Sequence, residues 1–183
     1  MFEPLCVEDL KNLLDEGQPI KNISPKNLTS LQGAFYLRKD LDWESLEDWD
    51  VSHIQDFRYC FCCCDLSGHS IRHWDMSSAR HLDGMFCAST IRSPLLWKLN
   101  EVSMRDMFKG CCFLSRELID SMELWNPSSV TNAHHLFSDS NIGKIVTFSG
   151  LPSWYITWFF AEITQHLSAS PYYNTKIDCI LGV

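Results

Sequence analysis

The chain has no cluster of basic residues: its 15 Lys and Arg are scattered and outnumbered by 23 Asp and Glu, for a net charge of −8. Nucleic-acid backbones and anionic membrane surfaces are engaged by grouped cations that release counterions, so neither is an expected partner. It also has little in the way of long apolar runs. The longest, Leu151 to Ile163, is too short to span a bilayer and is interrupted by Ser153 and Thr157. Near the start, Glu3, Glu8 and Asp9 replace the positive charge and apolar stretch of a cleaved secretory signal. The expectation is a soluble protein, either cytoplasmic or delivered to a host cell without a cleaved signal peptide. No glycine-rich loop precedes Gly143-Lys144, which excludes a phosphate-binding loop of the familiar kind. No nucleophile sits in a recognisable catalytic turn, and no two paired C-x-x-C spacings suggest a zinc site. No catalytic, cofactor-binding or metal-binding residue is therefore assigned, and no enzyme activity is expected.

What the chain does have is a repeat. Phenylalanines at 35, 61, 86, 108, 137 and 160 stand 26, 25, 22, 29 and 23 residues apart. One residue before each stands Ala34, Cys60, Met85, Met107, Leu136 and Phe159; four before stands Leu31, Phe57, Leu82, Met104, Ala133 and Ile156. Twelve before stands Ile23, Trp49, Trp74, Leu96, Trp125 and Phe148, with Trp97 displaced by one. Apolar positions three and four apart predict a short amphipathic helix in each unit, preceded by a short extended segment. Ser52, Ser77 and Ser128 stand where a side-chain oxygen could cap that helix. Asp50, Asp75 and Asn126 form a further partial column, read as residues that cap their own turns.

Such a unit cannot bury its apolar face alone, so neighbours must stack on it. The expected fold is α/β, an irregular right-handed solenoid of about six repeats of 22–29 residues, with caps at both ends. Residues 1–19 supply an N-terminal cap helix, with Leu10, Leu13 and Leu14 on one face. Residues 20–160 make the repeats, and 161–183 a C-terminal cap. The irregular stretches at 92–100 and 114–124 are candidate functional loops, because departures from a repeat usually sit on one face.

The strings Trp49-Asp50-Val51-Ser52-His53-Ile54-Gln55-Asp56-Phe57-Arg58-Tyr59-Cys60-Phe61 and Trp74-Asp75-Met76-Ser77-Ser78-Ala79-Arg80-His81-Leu82-Asp83-Gly84-Met85-Phe86 resemble the W-D-[VTM]-S-x-V-x-x-M-x-x-M-F unit of the BspA-like repeat family. That family is sometimes classed with leucine-rich repeats and includes mycoplasma lipoproteins and many bacterial and protist surface proteins. The likeness covers roughly residues 20 to 140. It implies a stacked α/β solenoid that binds other proteins, with no active site to carry over. A virulence or effector-type role on host or cellular proteins would fit that resemblance.

Four of the nine cysteines fall in the string Cys60-Phe61-Cys62-Cys63-Cys64. Their spacing tracks the repeat, so they read mainly as small, reduced, buried hydrophobes. Cys64 shares a column with Ser89, Cys111 and Ser140, where only small size recurs. Cys62 and Cys87 share another column in adjacent units and could approach each other. A cysteine-dependent enzyme, or a redox or metal-binding site, over Cys60–Cys64 is the alternative reading. Trp154, Tyr155 and Trp158 point away from the stripe formed by Ile156, Phe159 and Phe160. Aromatic rings of this kind concentrate binding energy, which makes these three the candidate partner-binding residues. The partner class is another protein, with self-association left open.

Overall fold

The computed structural model describes residues 1–39, 41–112, 114–147 and 150–158. The expected C-terminal cap at 161–183, together with Phe148, Phe159 and Phe160, lies outside the described residues. The chain opens with α1, Val7–Asp15, which buries Leu10 and Leu14. Asp9 Oδ2 accepts the backbone N–H groups of Leu5 and Cys6 just ahead of it, tying down donors that the helix start leaves free.

Five of the Phe positions then coincide with one local structure, and it is not a helix. In the first unit Ala34, Tyr36 and Arg38 donate their N–H groups back three residues, to Leu31, Gly33 and Phe35. The intervening N–H groups of Leu31, Gly33, Phe35 and Leu37 instead donate to the carbonyls of Asp56, Arg58, Cys60 and Cys62 in the next unit. The pattern repeats from Phe57, Tyr59, Phe61 and Cys63 to His81, Asp83, Met85 and Cys87. It repeats again from Leu82, Gly84, Phe86 and Ala88 to Ser103, Arg105, Met107 and Lys109, and then from Met104, Asp106, Phe108 and Gly110 to Asn132, His134, Leu136 and Ser138. An α-helix would consume every donor within itself. These tandem turns consume half and use the other half to hold the next unit, in the manner of a parallel sheet.

Positive φ angles make this alternation feasible. They fall two residues before and two after each Phe: Gly33 and Leu37, Tyr59 and Cys63, Gly84 and Ala88, Asp106 and Gly110, His135 and Asp139. In the turns Leu31–Ala34 and Phe35–Arg38 this is the third residue, where type II turns require it. In these five units the expected helix is thus replaced by tandem turns, which place side chains at the same three- and four-residue intervals, whereas residues 153–158 of the sixth unit are helical.

Short parallel pairings fill in between: β1, Asp65–Leu66, with β2, Thr90–Ile91, and β3, Val102–Ser103, with β4, Val130–Asn132. The extra residues before the fifth Phe fold as α2, Arg116–Ser121, capped by the Ser115 hydroxyl, which accepts from Leu118 N–H. A further short helix, α3, spans Ile142–Ile145.

The core is a pair of aromatic columns. The rings of Phe35, Phe61, Phe86, Phe108 and Phe137 stack nearly parallel, with centroids 5.3, 5.8, 5.6 and 5.6 Å apart. Beside them runs a column of indoles that starts at Trp49; in its later members the N–H donates to a carbonyl of the preceding unit: Trp74 to Leu46, Trp97 to Ile71, Trp125 to Leu95 and Trp154 to Met122. Burying the ring while pairing its one polar atom meets both demands of tryptophan. Trp97, not Leu96, holds the column in the fourth unit; Leu96 is 47% exposed. The Trp-to-Phe spacing in that unit is one residue shorter than in the units before it, so counting back from Phe108 misses by one residue.

Candidate functional site

The columns two and three residues before the Phe, and one and two after it, project from the other side of the same turns. One residue after the Phe the series is Tyr36, Cys62, Cys87, Lys109 and Ser138; two after, it is Leu37, Cys63, Ala88, Gly110 and Asp139. Unlike the Phe column, these change character at every step. Tyr36, Leu37 and Tyr59 are 51%, 53% and 44% exposed. The Tyr59 ring lies over Gly84 of the next unit, so close that a Cβ there would sit 2.3 Å from Cε1. Further along, the surface becomes charged: Arg105 and Lys109 both pair with Asp106, at 3.2 and 3.7 Å.

The cysteines divide into two groups on this frame. Cys64 and Cys111 point inward, and each thiol donates to the carbonyl of the preceding unit's Phe, Phe35 and Phe86, at 2.9 Å. Ser89 does the same to Phe61, and Ser140 bonds the carbonyl of its own Phe137. That column requires a small donor, which is why Cys and Ser alternate in it. Burial pushes the thiols of Cys64 and Cys111 up to about 12 and that of Cys60 well above the usual range. These three are held protonated in the interior.

Cys62, Cys63 and Cys87 sit at the outer side. The Sγ atoms of Cys62 and Cys63 are 3.7 Å apart, and Cys63 N–H donates to the Cys87 carbonyl at 2.9 Å. Cys62 and Cys87 stand in register on adjacent units. Each is the other's main electrostatic influence: the Cys62 thiol pulls Cys87 down, to about 7, against its partial burial, and the Cys87 thiol pushes Cys62 up. Lys109, one step further along the column, also favours the Cys87 thiolate, while Asp106 opposes it. Among the described residues there is no group of three or more His, Cys, Asp or Glu side chains arranged to hold a metal ion.

The three aromatic residues singled out in the last unit fare differently from expectation. Trp154 is 3% exposed and stacks on Trp125 at 6.1 Å, as the last described member of the indole column. Tyr155 is 1% exposed and meets Phe137 edge-on at 5.3 Å. Both are architectural here. Trp158 is half-buried, its ring stacked on Tyr155 at 6.2 Å and edge-on to His134 at 5.1 Å. The reason is register: counting from Phe160 puts Trp154 outside the core stripe, whereas the indole column puts it inside. Glu123 fixes that register by accepting from both the backbone N–H and the hydroxyl of Ser153.

The two irregular stretches mix inward and outward residues: Arg92, Leu96, Lys98 and Asn100 of the first, and Leu124 of the second, are exposed. In 92–100, Leu95, Trp97 and Leu99 are buried, and Leu95 N–H donates to the Ser121 hydroxyl. Beside α2 lies an open cleft of about 390 Å³, lined by Arg116, Ile119, Asp120, Glu123 and residues 150–153 and 156. Arg116 is engaged there with Asp120 at 2.8 Å. No helix among the described residues is long and apolar enough to cross a membrane.

Comparison with known proteins gives one family. Residues 29–145 match the model described as "Mycoplasma protein of unknown function, DUF285". No curated protein and no solved structure matches the chain. The matched span opens two residues before the first tandem turn, takes in all five described Phe positions and ends with α3. By that match over more than half its length, the chain belongs to the DUF285 family of mycoplasma-type proteins.

Proposed function

We propose that the stacked turns form an irregular solenoid, of the BspA-like kind grouped with leucine-rich repeats, and that it serves as a non-enzymatic protein-binding module. One observation carries the reading. The inward columns stay apolar from unit to unit, one of them Phe in all five described units, while the outward columns of the same turns change character and leave Tyr36, Leu37 and Tyr59 open to solvent. Repetition inside serves stacking; variation outside is where a partner can be told from a non-partner. Large, stiff tyrosine rings lose little entropy on contact, and two of them here flank the first two turns. Membership of the DUF285 family is consistent with a module of this type.

The test uses the full chain and a variant carrying Tyr36→Asp and Tyr59→Asp, both outward-facing. Proteins of the source cell that bind the intact chain should be recovered, purified, and titrated against each version. The reading expects affinity to fall at least tenfold for the variant, with its far-ultraviolet dichroism and unfolding midpoint unchanged. A folded variant that keeps every partner at full affinity sinks it.

A further inference from the structure

We propose that Cys62 and Cys87 form a thiol–disulfide exchange site, in which Cys87 attacks a small-molecule disulfide and Cys62 resolves the product into a cross-link between two adjacent units. The geometry comes from the ladder. Phe61 N–H bonds the Met85 carbonyl and Cys63 N–H bonds the Cys87 carbonyl, both at 2.9 Å, so Cys62 and Cys87 stand opposite each other in register. Neighbouring strands so paired lie about 4.8 Å apart, inside the Cα separation of roughly 4.4–6.8 Å that a disulfide spans. The ladder sets the two residues side by side on adjacent units, and both cysteines are free of any disulfide in this structure.

The roles divide by exposure and charge. Cys87 is half-exposed and Cys62 is buried, so an incoming disulfide reaches Cys87 first. The groups facing Cys87 are Cys62 and Cys63 from the preceding unit and Asp106 and Lys109 from the following one. The Cys62 thiol and the Lys109 ammonium favour its thiolate, which is the nucleophilic form. In the first step the Cys87 thiolate forms a bond to one sulfur of RSSR, the S–S bond breaks, and RS⁻ leaves to take up a proton. In the second, Cys62 loses its proton to solvent and attacks Cys87 Sγ, releasing the second RS⁻. The sum is two protein thiols plus RSSR giving one protein disulfide plus two RSH. Cys63 is a poor competitor for Cys62 despite its nearness, because a bond between adjacent residues closes a small ring against a planar trans peptide.

Cys64 and Cys111, aimed at backbone carbonyls in the interior, should stay out of the reaction. Exposed Cys6 and Cys112 provide the internal comparison. The full chain is incubated with oxidised glutathione at neutral pH, free thiols are alkylated, and peptides are mapped by mass. The expected product links Cys62 to Cys87 within one chain and reverts with reductant. The Cys62→Ser variant should stop as a glutathione adduct on Cys87, and Cys87→Ser should lose both adduct and cross-link. Alkylation of Cys87 should reach half its limiting rate near neutral pH. Adducts confined to Cys6 and Cys112, with Cys62 and Cys87 still free, would overturn the proposal. So would a Cys62–Cys63 or an intermolecular product in place of the predicted link. The wild-type map decides the matter even if Cys62→Ser fails to fold.

Discussion

On one side of the tandem turns the residue is Phe five times over; on the other side, one position later in the chain, it is Tyr, Cys, Cys, Lys and Ser. The two columns share a backbone, a set of hydrogen bonds and a spacing. They differ only in what they face. An inward residue must match the ring above and the ring below, so every unit is held to the same choice. An outward residue meets its neighbours along the turns and, at Tyr36 and Leu37, open solvent, with no ring stack to match. What the contrast teaches is that the sequence regularity of this chain reports stacking alone, and that chemistry has to be sought in the columns that do not repeat. The thiols make the same point: Cys64 and Cys111 belong to a repeating inward column, whereas Cys62 and Cys87 belong to a variable outward one.

The sharpest way to break the comparison is to truncate one member of each column in the same unit. Phe108→Ala removes a fully buried ring stacked on both sides, and should cost about 3–5 kcal/mol in urea unfolding. Lys109→Ala, next in the chain, should stay within about 0.5 kcal/mol. If the two costs are alike, the Phe column is not the spine of the fold. A finer cut lies inside the indole column. Trp74 bonds the Leu46 carbonyl at 2.9 Å, but the buried Nε1 of Trp49, nearer the start of the column, has no hydrogen-bond partner. Phe in place of Trp74 deletes a hydrogen bond worth about 1 kcal/mol, whereas Phe in place of Trp49 deletes an unmet donor. Trp74→Phe should therefore be the more destabilising of the two by about 1–2 kcal/mol, read from paired unfolding midpoints.

Electrostatics at the edges of the turns gives a pH-dependent version of the same contrast. Asp50 and Asp75 accept from the backbone N–H of Ser52 and Ser77, two residues on, and Asn126 does the same for Ser128. Hydrogen bonds from those serines hold the Asp50 and Asp75 carboxyls below 3.8. For Asp56, burial alone would push the carboxyl up, but Arg58, paired at 2.6 Å, holds it down. Carboxyls lowered by folding bind fewer protons than in the unfolded chain. Their contribution is thus present above the unfolded value and lost as pH falls through the folded one. Stability should decline on acidification below about pH 4, and Asp50→Asn with Asp75→Asn should flatten that decline while leaving neutral-pH stability nearly intact, since Asn126 already fills the same place.

The Phe column is legible in the sequence because one ring returning at near-constant intervals is the mark of a single unit stacked many times. The turns are not, because tandem turns and an α-helix space their inward side chains alike. The distinguishing signal lies in Gly33, Gly84 and Gly110, which fall on the positive-φ positions of three different units. A helix would have no use for glycine there. The Ser residues at 52, 77 and 128 suggest caps, yet the capping oxygen belongs to the Asp or Asn two residues earlier, and the Ser52 hydroxyl donates to it. Leu96 and Trp154 are misplaced for a different reason. Register counted from the Phe alone ignores a shortened Trp-to-Phe spacing, which shifts one column against the other. Counting the tryptophans separately, as a column with its own hydrogen-bond rule, places Trp97 and Trp154 inside. The alternation of Cys and Ser at 64, 89, 111 and 140 likewise carries a second message beyond size, that of a donor.

The smallest expected effect concerns strain in the turns themselves. Ala88 has a φ of +54°, the region in which a Cβ crowds the following carbonyl, while Gly110 and Gly84 adopt +68° and +62° without that penalty. Ala88 is exposed, and its methyl fills no interior space. Ala88→Gly relieves about 1 kcal/mol of backbone strain and gives back part of it, about 0.5 kcal/mol, through the freer unfolded chain. A small net stabilisation is expected, and a urea midpoint that rises slightly would check it. The reverse change, Gly84→Ala, should destabilise twice over, through φ and through the Tyr59 ring, which would have to swing off the turn. Combining Gly84→Ala with Tyr59→Ala separates the two causes. If the double variant recovers none of the loss, the cost lies wholly in the backbone, and the outward tyrosine is free to move without consequence for the stack.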